Sequence, residues 1–169
     1  CIRDRHRGYN KERFIHKIDM IKSIIPDVSL TTDIIVGFPG EADEDFSDTM
    51  DIVNYAEFDS IYMFQFSPRP GTAAYDMEDD FINHEIITNR FQHLKNVQTD
   101  ISSRRLKRFI GTSQSVLIEN TSKKNDNIFT GKINSGQITH IEKSGISVGD
   151  LVNVNIVGST PFYLKAEKI

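Results

Sequence analysis

The chain has 169 residues, 38% hydrophobic and 26% charged, with a formal net charge of −4; this is ordinary globular composition, enough for one domain or for a medium and a small one. No apolar run approaches the roughly 18–20 residues that cross a bilayer and no signal-peptide pattern opens the chain, so the expectation is a cytoplasmic protein with no membrane partner. One cysteine, Cys1, excludes an internal disulfide and is not a metal site by itself, and the histidines (His6, His16, His84, His93, His140) show no ligand spacing, so no metal ligand is assigned. The charge is unevenly spread. Residues 31–80 carry thirteen acids and one base, Arg69, whereas residues 101–110 carry four bases and no acid, so an acidic total does not exclude a nucleic-acid partner. The missing initiator Met and the charged opening Arg3-Asp4-Arg5-His6-Arg7 set the expectation of a piece of a longer protein.

Apolar residues at 14, 15, 18, 21, 24 and 25 follow a 3.6-residue period, and predict a helix from Asn10, a good N-cap, to Ile25, with Pro26 stopping it. Residues 32–37 read as a strand buried on both faces. Pro39-Gly40 suits the centre of a type II turn, and Asp43, Glu44 and Asp45 suit the start of a helix over 43–56, with Asp43 standing in for the weak cap Ala42. Its buried side is Phe46, Met50, Ile52, Val53 and Ala56. A second strand, 60–66, ends at Ser67-Pro68-Arg69-Pro70-Gly71-Thr72, where two prolines end any ladder. Helix, strand, helix, strand is the βα repeat of a parallel sheet or barrel, in which ligands sit at the carboxyl ends of strands; a merely tight βα connection explains the same spacing. A long helix over 83–109 places Ile86, Ile87, Phe91, Leu94, Val97, Ile101 and Leu106 on its apolar side. Its closing cations Arg104, Arg105, Lys107 and Arg108 suit a helix C-terminus, with Gly111 as the stop.

Beyond residue 110 the pattern changes to short alternating segments at 114–119, 128–132, 137–142, 151–156 and 162–167, separated by Asn/Gly/Ser turns. Five such strands predict a small closed or nearly closed all-β barrel of the oligonucleotide-binding kind, with a protein-binding or structural barrel as the alternative. Lys123, Lys124, Lys132, Lys143, Lys165 and Lys168 would supply phosphate contacts and Phe129, His140, Phe162 and Tyr163 stacking faces. The domains expected are 1–109 and 110–169.

Asp33-Ile34-Ile35-Val36-Gly37-Phe38-Pro39-Gly40-Glu41, followed by Phe66-Ser67-Pro68-Arg69-Pro70-Gly71-Thr72, resembles the radical S-adenosylmethionine methylthiotransferases. Arg7-Gly8-Tyr9 looks like the segment after that family's fourth barrel strand, and Phe129-Thr130-Gly131-Lys132 with Val148-Gly149-Asp150-Leu151-Val152-Asn153-Val154 resembles a TRAM domain. The resemblance implies an α/β C-terminal portion of a radical-enzyme partial barrel followed by a five-stranded TRAM barrel that binds RNA. It also implies a parent enzyme that uses S-adenosylmethionine and two [4Fe-4S] clusters to add a methylthio group to isopentenyl-adenosine beside the tRNA anticodon. Branches acting on threonylcarbamoyl-adenosine or on a ribosomal protein are alternatives, as is an RNA-binding protein without chemistry. By resemblance Ile35, Val36, Gly37, Phe66, Ser67 and Pro68 lie along the S-adenosylmethionine adenine, with Gly37 letting the backbone approach the ligand. Arg69 is a candidate for an anionic group, with an ion pair inside its loop as the alternative. Arg69, Lys123, Lys124, Lys132, Lys143, Phe129 and Tyr163 form the expected RNA-binding set. The family's CxxxCxxC loop is absent from these 169 residues, so no cofactor is expected bound, no catalytic residue is assigned and Asp33 and Glu41 are read as structural. The expected partners are a tRNA anticodon stem-loop and the missing N-terminal part of the same protein.

Overall fold

The computed structural model describes residues 8–123 and 125–169. The chain forms two compact units that divide between Ile101 and Ser102.

The first unit is a βαβ arrangement with flanking helices. Asn10 accepts from the Arg13 amide at 3.0 Å and caps α1 (Lys11–Ile24). Strand β1 (Thr31–Val36) leads through a turn into α2 (Asp43–Ala56), and β2 (Ser60–Gln65) returns parallel to β1, Thr31 opposite Ser60 and Val36 opposite Gln65. Helix α3 (His84–Leu106) ends in a 3-10 turn, Lys107–Phe109. The core joins Ile18 of α1, Val36 of β1, Met50, Val53 and Ala56 of α2, Ile61 of β2 and Leu94 and Ile101 of α3. Helices α1 and α2 run side by side in the same direction, since Lys11 pairs with Asp48 and Asp51, Tyr55 donates to Asp19, and Lys22 reaches the Ala56 carbonyl.

Several expectations change. Ile21, Ile24 and Ile25, expected on the apolar stripe of α1, are exposed; α2 ends at the level of Lys22, whose amine reaches the Ala56 carbonyl. Ile86, expected to be buried, is exposed as well, and the buried side of α3 follows Ile87, Arg90, Leu94, Gln98 and Ile101. Two polar residues take part because each finds a buried partner: Gln98 donates to the Phe58 carbonyl at 2.8 Å, and Arg90 reaches the β1–α2 junction. Asp43 does not cap α2; the Ala42 amide donates to the Asp45 carboxylate at 3.0 Å. Only one face of the sheet is covered, so Tyr62 and Phe64 stand exposed on the other, beside Asp33 and Ile35 of β1.

The second unit is a closed barrel of five strands, β3 (Ser113–Thr121), β4 (Ile128–Ile133), β5 (Ile138–Glu142), β6 (Leu151–Ser159) and β7 (Leu164–Lys168), in the order β3-β4-β5-β7-β6 and back to β3. Closure leaves no edge to be covered. Every contact is antiparallel except β5 with β7. Inward residues alternate along each strand, Val116 and Ile118, Phe129 and Ile133, Ile141, Val152, Val154 and Ile156, Leu164 and Ala166, and Leu106 joins them from the end of α3. At Gly131 a Cβ would lie 2.2 Å from the Leu117 carbonyl oxygen, so β3 and β4 approach there only because the position is glycine. The last strand starts at Leu164 rather than 162, because Thr160 turns the chain: its hydroxyl accepts from the Phe162 and Tyr163 amides, and its amide donates to the Tyr163 carbonyl.

Candidate functional site

The β1–α2 junction is held by a buried ion pair. After Val36 the chain turns at Gly37 (φ +77°), passes Phe38-Pro39, and turns again at Gly40 (φ +75°), where the Glu41 amide donates to the Phe38 carbonyl at 2.9 Å. Both Glu41 carboxylate oxygens accept from the Gly37 amide at 3.2 Å. Arg90 of α3 donates to Glu41 Oε1 at 2.8 Å, to the Glu41 carbonyl at 2.9 Å and to Asp43 at 2.6 Å. The Glu41 and Arg90 side chains are only 4% and 8% exposed, so the pair is held largely out of water, with the exposed Asp43 carboxylate as a second counter-charge to Arg90. Glu41 is thus a structural residue here. Arg90 and Ile87 are absent from the sequence-derived set; a visible signal was Arg90 falling in step with Ile87 and Leu94 on one helix face, since a charge on an apolar stripe calls for a buried partner.

The two loops expected to share a site do meet. The Phe66 amide donates to the Val36 carbonyl at 2.9 Å, and the Phe66 ring lies edge-on to Phe38 and Phe81 at 5.3 and 5.9 Å. Ser67, Pro68 and Arg69 are exposed, with the Arg69 carbonyl accepting from the Thr72 amide and hydroxyl. Among the described residues no carboxylate pairs with the Arg69 guanidinium. Val36 and Gly37 are buried and Ile35 is half-buried. The space that a Gly37 side chain would take is filled by Ile87, whose Cγ1 would lie 2.5 Å from a Cβ, so the glycine makes room for helix α3 on that side. What remains open is mostly apolar: Ile35, Tyr62 and Phe64 on the uncovered sheet face, with the Asp33 carboxylate beside Tyr62 and Pro68 in the loop that follows β2. These side chains suit the flat face of a base. They do not suit a cluster: among the described residues no group of three or more His, Cys, Asp or Glu is placed to hold a metal.

On the barrel, the expected RNA-binding residues divide. Lys123 is exposed in the β3–β4 connection, and Lys124 lies outside the described residues. Lys132 faces outward with its amine 3.6 Å from Glu119. Phe129 offers no stacking face: it is 7% exposed in the barrel core. Alternation along β4 turns it inward, and the Lys143 amine lies 4.7 Å from its ring centroid. Tyr163 does present an aromatic surface, stacked on His140 with centroids 4.0 Å apart and planes inclined by 21°. The two rings line a groove of about 600 Å³ with Lys165, Glu142, Glu167 and Val157. Burial holds the His140 imidazole below its ordinary value of 6.5.

The chain thus joins a βαβ unit to a closed five-stranded barrel whose outer face carries the Tyr163 and His140 rings and several lysines. Residues 107–169 match the TRAM domain family, so the barrel is a TRAM domain. Over 151 residues the chain is 46% identical to the tRNA-2-methylthio-N(6)-dimethylallyladenosine synthase of Acetivibrio thermocellus, covering 89% of this chain and 31% of that protein. Proteins of the same name from Corynebacterium jeikeium and Clostridium botulinum are each 37% identical, over 98% and 99% of this chain and 33% and 37% of their own length. The chain therefore spans about a third of the curated relatives it matches, and the match is to their C-terminal part.

Proposed function

We propose that this chain is the RNA-holding and cofactor-positioning part of a tRNA methylthiotransferase that modifies isopentenyl-adenosine beside the anticodon. The observation that carries the reading is the joining of the Val36–Glu41 junction and the Phe66–Thr72 loop to a TRAM barrel in one chain, together with its similarity to tRNA-2-methylthio-N(6)-dimethylallyladenosine synthases. Residues 1–109 then form the end of a radical S-adenosylmethionine barrel and residues 110–169 the RNA-binding domain. Ile35, Phe66 and Pro68 border the adenine of S-adenosylmethionine, and Arg69 takes an anionic group of the cofactor or the RNA. S-adenosylmethionine cleaved at an iron–sulfur cluster supplies the radical chemistry of this family. The cluster ligands lie on residues outside this chain, so the chain alone positions and does not catalyse. Its partners are the anticodon stem-loop and the rest of the enzyme.

Fluorescence anisotropy with a labelled anticodon stem-loop tests the RNA half: log K should fall linearly with log salt, by roughly 0.7–0.9 for each phosphate contacted. Affinity indifferent to salt would remove phosphate contacts from the reading. Titration calorimetry tests the other half, with little or no heat expected from S-adenosylmethionine; tight binding would show that the apolar strip suffices without a cluster.

A further inference from the structure

We propose that the groove over β5 and β7 holds one unstacked RNA base against the His140–Tyr163 pair, and that it prefers bases carrying an exocyclic amino group. The proposal rests on the RNA-binding reading above and gives it a location and a base preference. His140 and Lys165 are paired in the β5–β7 ladder, so both project from the same outer row, and Tyr163 immediately precedes β7 and stacks on His140. The groove's volume of about 600 Å³ lies within the roughly 300–1,000 Å³ of small-ligand sites. An aromatic face open to a groove is a surface on which a single-stranded base can stack.

Charge decides what else the groove can take. Residues 110–169 contain six lysines and five acids, so the excess positive charge of the second unit lies in Arg104–Arg108 and not on the strands that line the groove. Within the groove, Lys165 and Lys168 are matched by Glu142 and Glu167, and among the described residues neither carboxylate has a cation partner. Unpaired carboxylates repel phosphate, but they accept hydrogen bonds from the amino groups of adenine, cytosine or guanine. Uracil has carbonyl oxygens in place of the amino group and only its ring N3–H to donate. Stacking then provides the affinity and the carboxylates the selection.

The test uses the whole 169-residue chain and labelled heptamers of adenylate and uridylate, with affinity read by anisotropy across salt. The adenylate heptamer should bind more tightly than the uridylate one. Tyr163→Ala should weaken adenylate binding roughly 5- to 150-fold, the loss of one base–aromatic stack, without changing the salt slope, and Tyr163→Phe should restore it. Glu142→Gln should narrow the difference between the heptamers. In the unmutated chain, the His140 and Tyr163 ring protons should shift upfield as adenylate is added, a readout that does not depend on a variant folding. Wild-type affinity in Tyr163→Ala with unmoved ring protons would overturn the groove while leaving RNA binding elsewhere on the chain. Equal affinity for the two heptamers would overturn the base preference. Binding of neither heptamer nor of the stem-loop at about 50 mM salt, where phosphate contacts are strong, would overturn both this proposal and the reading it rests on.

Discussion

Gly37 carries two constraints at one position, a left-handed φ of +77° and an Ile87 side chain where its own would be. The first costs an alanine about 1–2 kcal/mol and the overlap about 1–3 kcal/mol. Gly37→Ala combined with Ile87→Ala should therefore be less destabilised than the two single variants summed, since the truncated Ile87 makes room but the φ cost stays; strict additivity in urea melts would show that the two do not meet. The glycine's turn is visible from its Pro39-Gly40 neighbourhood. Its contact with Ile87 is not, because fifty residues and two further elements separate them. Arg90 poses the opposite case. Arg90→Met removes the cation that lies 2.8 Å from the buried Glu41 carboxylate, which should cost up to about 3–5 kcal/mol. Adding Glu41→Gln should recover part of this, because the neutral amide oxygen still accepts from the Gly37 amide; no recovery in the double variant would mean that the charge is not what Arg90 compensates.

At the scale of elements, the helices and strands were readable wherever apolar period and turn residues agreed, as in α2 and in barrel strands β3 to β6. Errors fell where a neighbour decides the outcome: the end of α1, left bare where α2 stops, and the start of β7, postponed by the Thr160 hydroxyl turn. Phe129 illustrates the limit most sharply, since an aromatic beside lysines reads equally well as a stacking face or as core, and only the alternation fixed by strand register separates the two. The barrel has its own core and no open edge, so a peptide of residues 102–169 should unfold cooperatively by circular dichroism; a sloping, non-cooperative melt would show that it needs the first unit. Its stability should also depend on His140. The folded imidazole titrates below 6.5, so the unfolded chain takes up the proton first as the pH falls. Stability is then full above about pH 6.5 and declines below it, until the folded ring is also charged. His140→Gln should flatten the change in urea midpoint between pH 7.5 and pH 5.5, and an unaltered change would assign it to other groups.

The molecule as a whole separates its charges by unit. Thirteen acids lie in residues 31–80, and the run Arg104–Arg108 joins the barrel side of the division at Ser102. This asymmetry was legible in the sequence and is what kept an RNA partner compatible with an acidic total. The site in the first unit was legible only as backbone: its turns and its paired loops could be inferred, but the buried Arg90–Glu41 bond and the exposed Tyr62 and Phe64 arise from packing between distant segments. Among the described residues no helix is long and apolar enough to cross a membrane.

The parallel seam between β5 and β7 pairs only residues 139–141 with 164–166. No hairpin can nucleate such a pairing, which waits for loop closure over more than twenty residues. His140 and Lys165 face each other across that seam, so the groove does not exist in any species whose barrel has yet to close. A base held there would act as a latch on the closed barrel: RNA would raise the apparent unfolding midpoint by mass action, and opening of the seam would release the RNA.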